Sequence, residues 1–127
     1  MSIPVELEKL QEEVDRYGAT AYLLTTGDDG RPRSAVVSVR WEGGALAAGV
    51  GRRTAANVAA RRLVSLLWPP PERGGYSLIV DGDGAVEGEG EGACVRVRPT
   101  HGVLHRPAAS PDPAAEGCSA DCKPVLR

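Results

Sequence analysis

Gly51-Arg52-Arg53-Thr54, running into Ala55-Ala56-Asn57, sets two guanidinium groups directly before a stretch that reads as a short helix, Thr54–Arg62. The first N–H groups of a helix have no internal partner and carry partial positive charge, and threonine is a good capping residue. Thr54 is therefore expected to cap this helix, with Asn57 one turn inside it. The arginine fork suits phosphate oxygens, and Gly49 and Gly51 let the backbone approach a ligand closely. Together these parts suit the gripping of a phosphate. They also describe an ordinary capped helix with two solvated arginines. Arg33, which opens the strand Arg33–Trp41, offers a third charge. On that strand Arg33, Ala35, Val37 and Val39 share one face, and Ser34, Val36, Ser38 and Arg40 the other. A cofactor lying across it would meet charge at the start and hydroxyls farther along, although a flat strand cannot present Arg33 and Ser38 together without a bulge.

Other reactive residue types form weaker patterns. His101 and His105 stand in a strand-like stretch, where four residues place them about 13 Å apart, too far to share a metal. Cys118 and Cys122 could pair or bind metal, but read as ordinary thiols, and no metal site is expected. No Ser-His-Asp or Cys-His arrangement can be assembled. Thr25, Ser38 and Ser65 fall in strands, where hydroxyls usually satisfy neighbouring groups. Asp81, Asp83, Glu87, Glu89 and Glu91 read as solvated acids in Gly-rich turns. No catalytic side chain emerges, which suits a protein whose cofactor carries the reaction.

The elements that must position these residues are mostly strands. Ser2 and Pro4 suggest a helix start, with Leu7, Leu10, Val14 and Tyr17 forming an apolar stripe and Gly18 a stop. Strands are expected over Ala19–Thr26 and Arg33–Trp41, as a hairpin about Asp28-Asp29-Gly30. Further strands are expected over Ala45–Val50, Leu63–Trp68, Tyr76–Val80 and Ala93–His105, with Pro99 marking an edge, bulge or break. Short strands with frequent turns describe an antiparallel barrel or sandwich.

Composition bounds what such a fold can do. The chain has 127 residues, a one-domain length, with 42% hydrophobic and 25% charged residues. It has two Trp, three Tyr and no Phe, so Val, Leu and Ala must fill the core. No apolar run approaches the roughly 20 residues of a membrane span. The start, Met1 to Glu6, lacks a basic region followed by an apolar one, and three cysteines make no disulfide framework, so a cytoplasmic protein is expected. Net charge is −2, yet Arg31 to Arg62 holds seven arginines against one acid, Glu42. That asymmetry fits a local anionic ligand better than a long polyanion, and the scarcity of aromatic stacking groups argues against nucleic acid.

The segments Gly51–Asn57, Leu63–Trp68, Pro69–Arg73 and Tyr76–Gly82 resemble the pyridoxamine 5′-phosphate oxidase-like FMN-binding split-barrel family, over roughly Tyr22 to Arg106. The residue pattern gives a mainly β protein with an N-terminal helix and a short mid-chain helix, and the resemblance implies that its strands form a six-stranded antiparallel split β-barrel. The domain is expected over 1–106, and the tail over 107–127, rich in Pro, Ala, Ser and Cys, is expected to be irregular. The resemblance also implies a homodimer with FMN, or deazaflavin F420, at the subunit interface. By position, Arg33 matches the family's phosphate-contacting arginine at the start of the second strand. Arg52 and Arg53 match its basic pair, Thr54 and Asn57 its polar helix-start groups, and Trp68 the strand end near the flavin ring. Ser38 replaces a lysine of the oxidase, and the tail after Pro107 matches no substrate-binding segment, so the cofactor class carries over better than pyridoxamine phosphate oxidation. Some relatives bind haem, which would make His101 or His105 a ligand. The expectation is an FMN- or F420-dependent oxidoreductase of small organic substrates, and the alternative a flavin- or haem-binding storage or sensing module.

Overall fold

A computed structural model describes residues 1–108; Cys118, Cys122 and nearly all of the expected tail lie outside them. The elements are β1 (Ser2–Val5), α1 (Leu10–Tyr17), β2 (Thr20–Thr26), β3 (Pro32–Glu42), β4 (Ala45–Gly49), α2 (Arg52–Ala60), β5 (Leu63–Trp68), β6 (Ser77–Glu87) and β7 (Cys94–His105). All pairings are antiparallel. The order β7-β4-β3-β2-β5-β6 closes on itself through β6 and β7, giving a six-stranded barrel flanked by two helices. No helix among the described residues is long and apolar enough to cross a membrane.

Alternation along the strands sets the core. Leu23, Val37, Val39, Leu66, Val80, Val95 and Val97 point inward, and Leu10 and Val14 of α1 join them. β4 is buried on both faces over Ala45–Ala48, where only small side chains and one leucine fit. The Asp28-Asp29-Gly30 hairpin forms as its turn residues require, pairing Thr20–Thr26 with Pro32–Ser38. Pro99 lies beside a bulge, where the β6–β7 register shifts between Asp81 and Gly82.

Three expectations are corrected. Ser2 and Pro4 begin no helix: Ser2–Val5 pairs with Gly102–His105, and helix proper starts at Leu10, leaving Leu7 exposed. β4 ends its pairing with β7 at Val97, so the second half of that long strand has a bare edge. β1 covers it, and Pro4 is tolerated because β1 is an outer strand.

The acid-glycine stretch after Val80 is a turn only in its second half: β6 continues to Glu87, and the chain turns over residues 88–92. Gly82 and Gly84 occupy inward positions that admit no side chain. A Cβ on Gly82 would sit 2.6 Å from the Arg98 carbonyl oxygen, and one on Gly84 2.8 Å from Val58 Cγ1. Finally, Thr54 does not cap α2: the helix starts two residues earlier, and Gly51 takes the cap position.

Candidate anion-binding site

The β2–β3 turn is the first wall of the site. Gly30 N–H donates to the Gly27 carbonyl (2.9 Å), Gly27 N–H to that of Arg31 (2.9 Å), and Gly30 adopts φ +80°, which glycine accepts without strain. Asp29 folds back over the turn. Its Oδ1 accepts from Arg31 N–H (3.0 Å) and its Oδ2 from Arg33 Nη2 (3.0 Å). The Arg31 amide, followed by the Arg33 charge, holds the Asp29 carboxyl below its ordinary range. A Cβ at Gly27 would crowd Asp29 Oδ1 (3.2 Å), so the missing side chain eases this fold-back, while the Arg33 stem would stay at ordinary contact distance (3.5 Å).

The second wall is the start of α2. No side chain caps it, its first turn holds no acid, and Arg52 and Arg53 are its first two residues. Positive charge at the positive end of a helix is unfavourable on its own. Among the described residues neither arginine makes a salt bridge. The helix is nevertheless held firmly. Asn57 Nδ2 donates to Thr25 Oγ1 (3.3 Å), and both residues are buried. Arg61 donates through Nε to the Thr26 carbonyl (2.8 Å) and through Nη2 to Asp28 Oδ1 (2.7 Å). Gly84 N–H bonds the Arg62 carbonyl (2.7 Å) just beyond the helix.

Between these walls lies a cavity of about 590 Å³ lined by Gly27, Asp28, Asp29, Arg33, Arg52, Arg53, Ala56 and Asn57. Four residues singled out from sequence therefore meet in one place: Arg33, Arg52, Arg53 and Asn57. Thr54 lines a separate depression of about 380 Å³ with Val36, Gly49 and Gly51 on the other side of the first turn of α2. Ser34 and Ser38 are exposed on β3 and line neither space. Trp68 is 1% exposed, and its indole N–H is bonded to the Gly18 carbonyl (2.9 Å), so it belongs to the core.

The sequence reading missed the roles of Asp29, Asp28 and Arg61, all of which depend on register and turn geometry. His101 and His105 lie in β7, and among the described residues no three His, Cys, Asp or Glu side chains converge.

No family model matches the chain. Two uncharacterized mycobacterial proteins, from Mycobacterium bovis and Mycobacterium tuberculosis, are each 47% identical to it over 77 residues, 58% of this chain. The chain spans about half the length of these relatives, 54% of each. Solved structures show the fold to be that of the pyridoxamine 5′-phosphate oxidase-like split barrels. An F420 reductase superposes with TM-score 0.57 at 19% identity, covering 66% of this chain and 88% of its own. The FAD binding protein of Mycobacterium smegmatis gives 0.59 at 17% identity over 84% and 100%. The haem storage protein of Vibrio cholerae gives 0.61 at 14% identity over 78% and 94%.

Proposed function

We propose that the chain binds a flavin-type cofactor, FMN or deazaflavin F420, by its phosphate, and acts as an oxidoreductase of small organic substrates. The observation that carries this reading is the uncapped start of α2, whose first turn holds no acid and whose Arg52 and Arg53, unpaired among the described residues, lie beside Arg33 in one cavity. The arrangement disfavours itself electrostatically until an anion arrives. The residues fit such a group: three arginines, two of them at the start of α2, line a space of ligand-binding size together with Asp28 and Asp29, whose carboxylates are engaged by Arg61 and Arg33. A Cβ at Gly49 or Gly51 would meet nothing within 4 Å, so the backbone of the neighbouring depression beside α2 is also open to approach. An F420 reductase and an FAD binding protein among the structural neighbours support the cofactor class. When bound, the flavin or deazaflavin ring supplies two-electron, hydride-accepting chemistry. The protein's own part is to hold the phosphate and orient what is attached to it.

A homodimer belongs to this reading. Val36, Tyr22, Leu67, Ile79 and Val103 are successive cross-strand partners on the outer face of the barrel. Val36 is 63% exposed and also lines the depression beside α2, so a second copy on this row would roof that space.

The test is an absorption titration of the purified protein with FMN, F420 and haemin. Saturable FMN or F420 binding is expected, with Arg53→Ala weakening it by about 1.5–3 kcal/mol, the size of a charged hydrogen bond. Binding of haemin alone would instead favour a storage role, as in the Vibrio cholerae neighbour. Failure of every phosphate-bearing flavin to bind overturns the proposal.

A further inference from the structure

We propose that Asp29 is a built-in competitor for the anion: its carboxylate occupies Arg33 when the cavity is free and must release it when a phosphate enters. The inference rests on the phosphate-binding reading of the cavity and adds a residue that sets affinity and ligand choice there.

Asp29 and Arg33 both line the cavity, 3.0 Å apart, with side chains 50% and 48% exposed. A carboxylate and a phosphate oxygen are alternative acceptors for the same guanidinium fork, and they repel each other. The Asp29 contact is a constructed one. Its other oxygen is anchored on Arg31 N–H, and the missing side chain at Gly27 eases the fold-back. Asp28, the other acid of the cavity, is engaged by Arg61 instead. Arg52 and Arg53 thus face the cavity without a resident carboxylate while Arg33 has one. An exposed ion pair is weak enough to be exchanged rather than locked.

An anion reaching only the helix start leaves the Asp29–Arg33 pair in place. One with enough charge and oxygen atoms to bridge to Arg33 must displace it. The cost of displacing Asp29 therefore falls on anions that reach Arg33, such as a phosphate dianion, and a single carboxylate held at the helix start escapes it.

The experiment is calorimetric titration of inorganic phosphate and FMN into the wild type, Asp29→Asn, Arg33→Ala and the double variant. Asparagine keeps an oxygen for Arg31 N–H, and Asp29→Ser serves as a second variant that also keeps an acceptor. Asp29→Asn is expected to bind both probes roughly two- to fivefold more tightly, the weight of an exposed ion pair. In the Arg33→Ala background that gain should vanish. Equal affinity in wild type and Asp29→Asn overturns the proposal while leaving the phosphate site standing. A gain that persists without Arg33 also overturns it, because Asp29 would then act by repulsion alone. Folded variants that bind neither probe overturn both the competitor and the site.

Discussion

Asn57 lines the cavity with three arginines, yet it is buried and its amide bonds the buried Thr25 hydroxyl. This bond ties the second turn of α2 to β2 and so fixes where the first turn points. Asn57→Ala leaves the Thr25 hydroxyl without its partner, and stability should fall by about 1–3 kcal/mol in chemical denaturation. Unchanged stability would show that the 3.3 Å contact contributes nothing. Residues whose meaning is local were legible from sequence. Arg52 and Arg53 announce charge beside a helix start, although that start was expected two residues later, at Thr54, and Arg33 announces a charge at a strand entrance. Trp68 was not legible in this way: its exposure depends on how α1 meets the end of β5, where Gly18 takes its indole N–H. Asp29 read as a turn residue, and it is one; its contact with Arg33, four residues on, follows from the fold-back that Arg31 N–H anchors at the tip of the hairpin.

Among the elements, β6 hid best. Asp81-Gly82-Asp83-Gly84 carries the composition of a turn, but alternates acid outward and glycine inward along a strand. Glycine is required there by contact, which no local pattern shows. Gly84 meets Val58 on the inner side of α2, so Gly84→Ala must push the helix away from the barrel. Such overpacking costs about 1–3 kcal/mol. Because α2 carries Arg52 and Arg53, phosphate affinity should fall together with thermal stability. Loss of stability with unchanged affinity would show that the start of α2 does not depend on its seat against β6. β1 illustrates the opposite error. Ser2 and Pro4 satisfy a helix-start pattern, but the bare edge of β7 offers four residues of pairing, a tertiary gain that outweighs local preference.

At the scale of the whole molecule, the barrel was legible because strand count, turn spacing and apolar alternation all point to it. The outer apolar row was harder to see, since Val36, Tyr22, Leu67, Ile79 and Val103 come from five strands and align only in the folded sheet. A second copy seated on this row should be sensitive to a charge at its most exposed member. Val36→Lys is expected to convert a dimer into a monomer in sedimentation experiments while leaving the fold intact. A wild type that sediments as a monomer at every concentration would end the dimer proposal.

Every residue lining the cavity falls between Gly27 and Asn57, whereas closing the barrel requires strands drawn from Thr20 to His105. The proposed recognition site is thus written in one uninterrupted stretch of polypeptide, which also carries β3 and β4, two of the six barrel strands. Design that keeps β3 and β4 and changes only the β2–β3 turn and the first turn of α2 could redirect the chain to a different small molecule on the same barrel.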